Sequence, residues 1–213
     1  MKKNRTRIPS VTINRLSIYY RYLERLSETE KGRNLKTISS QKISQITGIN
    51  STQVRKDLAY FGEFGKRGIG YPINNLVKEL RKILGLDKKW KIIIVGAGNL
   101  GKALINYQGF KKRGFLVKGI FDNNSTKIGK KIDNILIYDV KDMEEFIREW
   151  NIQIGILAVP ANSAQNIANK MVAGGIESIL NFAPICLKLL PKIKINNVDL
   201  SIELDGLTYY LNL

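Results

Sequence analysis

Hydrophobic positions follow two different periods along the chain and so divide it into two parts. From Ser10 to about Ser27, apolar side chains recur every third or fourth residue, which predicts one long amphipathic helix. Beyond Trp90, short continuous apolar runs alternate with helical patterns, which is typical of buried strands in a parallel α/β sheet. The runs cover residues 92–95, 117–121, 135–138, 154–160 and 178–182.

Two short helical patterns lie between these parts. The first starts at Ser39 and is stopped by Gly48, and the second covers residues 51–61, so together they predict a helix-turn-helix. A basic loop with glycines at 62, 65, 68 and 70 follows, and it indicates either the hairpin of a winged helix or a flexible linker. The candidates for DNA contact are Ser51, Gln53, Val54, Arg55, Lys56, Lys66 and Arg67.

The net charge of +17 is concentrated in the smaller part of the chain. Residues 1–88 hold 19 Lys and Arg against 7 Asp and Glu, a net charge of +12, and the rest of the chain carries +5. This excess fits either nucleic-acid binding or simple solubility. One cysteine and no histidine exclude an internal disulfide and a Cys/His zinc cluster, and we expect no metal. The sequence contains neither a signal peptide nor an apolar run of ~18 residues, so we expect a cytoplasmic protein without a membrane partner.

The segment from Lys91 to Gly101 has the pattern strand, glycine turn, helix, with the spacing G-x-G-x-x-G. Its glycines allow a tight turn, the approach of a pyrophosphate to the backbone, and close packing of helix on strand. The next strand ends about 20 residues later at Asp122, where a carboxylate can accept hydrogen bonds from ribose hydroxyls. We therefore predict NAD(H) binding, although a glycine turn in another kind of α/β domain is the alternative.

Residues expected around NAD(H) come from the glycine turn, from the end of the second strand, and from the carboxyl ends of later strands. The glycine turn supplies Gly96, Ala97, Gly98, Asn99, Leu100 and Gly101, and the second strand supplies Asp122, Asn123 and Lys127. The later strands supply Val159, Pro160, Ala161, Asn181, Phe182, Ala183 and Pro184.

Several segments resemble the Rex family of redox-sensing transcriptional repressors. They are Gln53 to Gly62, Gly65 to Tyr71, Gly96 to Gly101 followed by Ala103-Leu104 and Asn106-Tyr107, Phe121-Asp122, Val159-Pro160-Ala161, Asn181 to Pro184 and Val198-Asp199-Leu200. The resemblance implies a homodimer that binds a palindromic double-stranded DNA operator and releases it when NADH binds. It also implies a switch network of Arg15, Tyr107 and Asp199, and a last helix exchanged between subunits.

The expected fold is an N-terminal winged helix-turn-helix, mainly α, followed by a C-terminal α/β Rossmann-like parallel sheet and a C-terminal helix for dimerisation. The expected domains are residues 1–86 for DNA, 87–198 for NAD(H) and 199–213 for the dimer helix.

Two other functions fit parts of the sequence. Tyr107 and Lys111 match the Y-x-x-x-K acid–base pair of short-chain dehydrogenases, but they follow the glycine turn too closely and without room for a substrate domain. We therefore expect no enzymatic activity, whereas a dehydrogenase would turn over NADH with a carbonyl substrate. A nucleoid protein would account for the charge but would bind DNA without sequence preference.

Overall fold

The computed structural model describes residues 8–30, 34–66 and 68–212, and its chain divides into two units after Lys88. This division lies two residues beyond the expected boundary, and the last helix belongs to the second unit. Among the described residues, no helix is both long and apolar enough to cross a membrane.

The N-terminal unit is a small helical domain with a two-stranded sheet. Its elements are α1 (Ser10–Glu28), β1 (Thr37–Ile38), α2 (Ser40–Thr47), α3 (Ser51–Ala59), β2 (Tyr71–Pro72) and α4 (Ile73–Ile83). Ser39 caps α2 by accepting a hydrogen bond from the Lys42 N–H, and Gly48 ends it with a φ of +73°. Asn50 caps α3 through the Thr52 N–H. These caps fix the turn between the two helices.

The basic glycine loop is a hairpin, so the linker alternative is wrong. Lys66 and Gly70 exchange backbone hydrogen bonds of 3.1 and 3.0 Å, while β1 and β2 pair antiparallel. The core beneath is formed by one face of each helix, with Leu16 and Leu23 of α1, Leu58 of α3 and Leu80 of α4 all buried. The unit is therefore a winged helix-turn-helix, as the sequence predicts.

The second unit is a seven-stranded sheet with helices on both faces. Its elements are β3 (Trp90–Val95), α5 (Asn99–Ile105), α6 (Gln108–Lys112), β4 (Phe115–Asp122), β5 (Lys131–Ile132), β6 (Ile135–Asp139), α7 (Met143–Trp150), β7 (Ile154–Leu157), α8 (Ala161–Gly174), β8 (Ser178–Asn181), β9 (Lys194–Asn197) and α9 (Leu200–Leu211). Alternate residues of β3 pack into separate clusters on the two faces, Ile93 into one and Ile94 into the other. The continuous apolar runs thus correspond to strands buried on both sides.

The strand order is β5-β6-β4-β3-β7-β8-β9, and every pair is parallel except β5 with β6. The chain runs outward from β3 in one direction and outward from β7 in the other. The order therefore reverses between β3 and β7, where ligands of doubly wound folds bind. The two edges of the sheet are β9, within the lysine-rich segment 187–200, and β5, which forms an antiparallel hairpin with β6.

Candidate nucleotide site and DNA-contacting helix

The glycine turn lies at the reversal of strand order, and two of its glycines are required by packing. Gly96 has a φ of +107°, and a Cβ on it would overlap the carbonyl oxygen of Ala158 at the end of β7. A Cβ on Gly101 would overlap the carbonyl oxygen of Gly96. These two glycines bring α5 and the neighbouring strands together, as predicted for a dinucleotide fold.

Gly98 differs, because a Cβ built on it meets nothing within 4 Å. Gly98, Asn99 and Leu100 are exposed, and no side chain caps the first turn of α5. The turn thus offers bare backbone with open space in front of it. This geometry fits a pyrophosphate at Gly98, with the bulk of the nucleotide on the exposed side of the turn.

Ala97 has another role than phosphate binding. It is fully buried, and its N–H donates to Asp122 Oδ2 at 2.9 Å. A donor committed to a buried carboxylate is not free for a ligand, so the expectation that Ala97 contacts the cofactor directly is corrected. Ala97 instead links the glycine turn to the end of β4.

Asp122 is the centre of a small polar network at that end. Besides Ala97, it accepts from the Asn124 N–H and from Lys127 Nζ, each at 2.9 Å. Burial opposes ionisation, but the hydrogen bonds from Lys127 and the two backbone N–H groups hold the pKa of Asp122 below its usual range. The carboxylate is therefore ionised, and the Lys127 ammonium is its ion-pair partner. Asn123 stands exposed beside it.

The carboxyl ends of β7 and β8 supply the remaining candidates. Val159 is half-buried and lies against Gly96, and Pro160 is the residue before α8. After β8, Phe182 is half-buried, Ala183 is buried and Pro184 is exposed. Because these segments follow parallel strands, they lie along the same edge of the sheet as the glycine turn.

Asn181 was expected to contact the cofactor and does not have that geometry. It is fully buried. Its Nδ2 donates to the carbonyls of Ala183 and Ile185 and to Asn197 Oδ1, and its Oδ1 accepts from the Ala183 N–H. The side chain shapes the loop after β8 and pins β9, so this prediction is corrected.

Helix α3 presents a polar face with cations. Arg55 and Lys56 are exposed, and Ser51 and Gln53 are half-buried. Arg55 is held in place, since its guanidinium donates to Ser40 Oγ at 2.9 Å and to Thr52 Oγ1 at 3.0 Å. A guanidinium oriented in this way loses less conformational entropy when it binds a base edge or a phosphate. Sequence reasoning missed the contribution of Ser40.

Two other DNA candidates need a correction or a restriction. Val54 is fully buried in the interior of the unit, so it is unavailable to DNA and its inclusion was wrong. Arg67 lies outside the described residues. Lys66 is exposed on the hairpin.

Asp57 is a functional candidate that the sequence analysis did not single out. It is fully buried and accepts hydrogen bonds from Arg15, Tyr19, Gln53 and Thr12. The spacing of Thr12, Arg15 and Tyr19 on one face of α1, opposite an aspartate on the inner face of α3, was the available signal. An acidic residue in an apolar stripe needs such partners.

The three switch candidates have different environments. Arg15 pairs with Asp57. Tyr107 is half exposed before α6, and its ring lies over Gly109, where a Cβ would overlap it. Asp199 caps α9 by accepting from the N–H and Oγ of Ser201, and these hydrogen bonds lower the pKa of its carboxyl.

Comparisons with known proteins agree with this architecture. A family model described as "Putative DNA-binding protein N-terminus" matches residues 7–59, and one described as "CoA binding domain" matches residues 87–185. The redox-sensing transcriptional repressor Rex of Carboxydothermus hydrogenoformans is 50% identical over 203 residues, which are 95% of this chain and 96% of that protein.

Solved structures of a Rex-family repressor called RSP are also similar. The crystal structure of RSP with β-NAD⁺ and operator DNA has a TM-score of 0.90 and 44% identity, and the match covers 97% of this chain and 94% of that one. The crystal structure with β-NADH has a TM-score of 0.87 and 43% identity, with coverage of 97% and 95%.

Proposed function

Because the chain belongs to the Rex family of redox-sensing transcriptional repressors, we propose that it binds a palindromic operator as a homodimer and releases it when NADH binds. The observation that carries this proposal is the presence in one chain of a cation-bearing recognition helix and an open glycine turn. Neither a DNA-binding module nor a nucleotide fold alone accounts for both features.

The DNA-binding part of the proposal rests on α3 and the hairpin. Arg55 and Lys56 are exposed on a helix that follows a helix-turn-helix turn, and Lys66 is exposed on the adjacent hairpin. Cationic donors on such a helix suit guanine O6 and N7 in the major groove. The RSP structure with operator DNA supports the same use of this fold here.

The nucleotide part rests on Gly98 and Asp122. Gly98 leaves room for a pyrophosphate, and the ionised Asp122 is placed to accept hydrogen bonds from the adenine ribose through the lone pairs that its protein donors leave. Val159, Phe182 and Pro184 offer a mainly apolar surface for the nicotinamide. Such a surface accommodates the neutral reduced ring better than the cationic oxidised ring.

The switch requires that the two cofactor forms favour different states of the protein. Asp199 and Tyr107 belong to the second unit and Arg15 to the first, and by family resemblance they exchange partners between those states. Asp199→Ala is then expected to keep NADH binding while weakening NADH-driven operator release.

We further propose that the protein is a regulator without enzymatic activity. Its relatives are named as transcriptional repressors. Tyr107 directly precedes the short helix α6, and Lys111 lies within it. The ring of Tyr107 packs edge-on against the ring of Phe110, with 5.2 Å between the ring centroids. NADH consumption with a panel of aldehydes and ketones would overturn this part of the proposal.

The proposal is tested with an operator selected from random duplex DNA. We expect a selected site with two-fold symmetry, nanomolar to micromolar binding by fluorescence anisotropy, weaker binding with NADH, and restored binding with excess NAD⁺. One base pair inserted between the half-sites is the control, because it rotates them relative to each other and should abolish tight binding. An operator affinity that changes neither with NADH nor with the inserted base pair would refute the proposed function.

A further inference from the structure

Asp57 joins the first helix of the N-terminal unit to the helix proposed to read DNA. Its carboxylate is 0% exposed and lies on the inner face of α3. Three of its donors, Thr12, Arg15 and Tyr19, project from one face of α1, because they are three and four residues apart. One buried carboxylate thus collects hydrogen bonds from a whole face of another helix.

The Arg15–Asp57 ion pair is bidentate. Arg15 Nε lies 2.6 Å from Oδ2 and Arg15 Nη2 lies 2.7 Å from Oδ1. Two parallel charge-assisted hydrogen bonds fix orientation as well as distance. Breaking the pair leaves a buried, uncompensated carboxylate, which is strongly unfavourable. The guanidinium and α3 are therefore held as one unit in this state.

The same carboxylate also orients Gln53. Burial raises the pKa of Asp57, but the hydrogen bonds from Arg15, Gln53 and Tyr19 outweigh it and hold that pKa below its usual range. An ionised carboxylate only accepts hydrogen bonds, so Gln53 turns its Nε2 inward, 2.8 Å from Oδ1. The rotamer of a side chain on the DNA-binding helix is thus set from the protein side.

We propose that Asp57 is the positioning residue through which Arg15 controls the DNA-contacting helix. It directly follows Arg55 and Lys56 in the sequence, so the carboxylate that holds Arg15 belongs to the same turn as the cations that meet DNA. A displacement of the Arg15 guanidinium must either move α3 or break two short hydrogen bonds. The inference rests on the proposed function and adds to it the connection from Arg15 on α1 to α3 within the N-terminal unit.

The first test compares the parent with Asp57→Asn and Tyr19→Phe. The Asp57→Asn substitution keeps the side-chain volume but removes the charge, whereas Tyr19→Phe removes one hydrogen bond to the same carboxylate and leaves the ion pair. The readout is the ratio of operator Kd with NADH to operator Kd without it, beside the NADH Kd and the melting temperature. Allosteric coupling is commonly about 5- to 150-fold.

We expect Asp57→Asn to bind NADH like the parent but to lower the coupling ratio at least about fivefold, towards one. Tyr19→Phe is expected to lose stability while keeping the ratio within about twofold of the parent. A purely structural role would lower the melting temperature of both variants and leave both ratios unchanged, and that result would overturn the inference.

Hydrogen exchange on the parent protein provides a second test that does not depend on a variant folding. NADH is expected to change exchange in peptides from both 10–28 and 51–59, and a change in only one of them would overturn the inference. In Asp57→Asn, the change in 51–59 should disappear while that in 10–28 remains. A parent protein whose operator affinity ignores NADH would instead refute the proposed function itself.

Discussion

The carbonyl oxygen of Gly96 occupies the space that a Cβ on Gly101 would need. The first residue of the glycine turn is therefore in direct contact with the first turn of α5, which begins at Asn99. Gly98, between them, has open space on its side-chain side. The three glycines of one motif thus serve two separate functions, packing and ligand approach.

This difference predicts that two alanine variants both weaken NADH binding but differ in stability. Gly101→Ala must displace the turn, so we expect a lower melting temperature together with loss of NADH binding. Gly98→Ala is expected to keep the melting temperature within about 2 °C, corresponding to a surface substitution of less than ~0.5 kcal/mol, but to weaken NADH binding about tenfold or more. Differential scanning fluorimetry and NADH fluorescence titration measure the two effects. Equal loss of stability in both variants would contradict the assignment.

The sequence predicted the elements well where period and punctuation agreed. Apolar runs gave the strands, Gly48 marked the end of α2, and the spacing of Gly96 and Gly101 placed the turn at the reversal of strand order. These signals are local, and each has one dominant physical meaning.

The parts that were missed depend on contacts between distant residues. Asn181 has the composition of a ligand contact, but its four hydrogen bonds within the protein become visible only once β8 and β9 are paired. Asp57 is similar, because its donors on α1 lie about 40 residues earlier in the chain. The prediction for Val54 is wrong although Val54 and Leu58, four residues apart in the sequence, already indicate the buried face of α3.

The ion pair of Asp122 with Lys127 predicts the cofactor preference. A 2′-phosphate near Asp122 would be repelled by the carboxylate, so the parent should favour NADH over NADPH. Lys127 partly neutralises that carboxylate and therefore weakens the preference. Lys127→Ala removes that cation, and the ratio of NADPH Kd to NADH Kd should rise about tenfold, or about 1.4 kcal/mol. The exposed Lys130 gives the control variant, Lys130→Ala, whose ratio should match the parent in fluorescence titrations. Equal affinities for both cofactors in the parent would refute the prediction.

Lys56 provides a direct test of the DNA-contacting face. Lys56→Ala should weaken operator binding by roughly 1–3 kcal/mol and relax base preference if the ammonium reaches a base edge. If it reaches a phosphate, all sequences should weaken alike and the salt slope should fall by about 0.9. Anisotropy titrations at several salt concentrations separate these two outcomes. Lys78→Ala, on the exposed side of α4, is the control, and an equal effect there would indicate a general charge effect.

The lowered pKa of Asp57 predicts how stability depends on pH. The folded carboxyl ionises below the unfolded value of about 3.9, so its stabilising contribution is complete above that value. It is lost as the pH falls through the lower pKa of the folded state. We expect the free energy of unfolding of the parent, measured with urea, to fall below about pH 4. The slope of this free energy against pH should be shallower in Asp57→Asn. Asp87→Asn controls for removing one acidic group, and an unchanged slope in Asp57→Asn would contradict this account.

The last helix, α9, carries apolar side chains on two opposite sides. Leu200, Leu204, Leu207 and Leu211 follow one side at helical spacing, and Ile202 and Tyr209 lie on the other. All are at least 61% exposed within one chain, and such surface on a single helix marks an interface. Two apolar sides suit a helix that is enclosed by a second copy of the chain, which also provides the two-fold symmetry that a palindromic operator requires.

Leu207→Asp tests this assignment because it places a charge on the leucine side. Burying an unpaired carboxylate at an interface costs several kcal/mol, so we expect the variant to sediment as a monomer at micromolar concentration and to lose cooperative binding to the palindrome. Thr208→Asp introduces the same charge on the neighbouring polar side and should remain a dimer. Because a partner subunit stabilises the folded state by mass action, Leu207→Asp should also lower the apparent melting temperature, whereas Thr208→Asp should keep it. Sedimentation of Leu207→Asp as a dimer indistinguishable from Thr208→Asp would place the interface elsewhere on the chain.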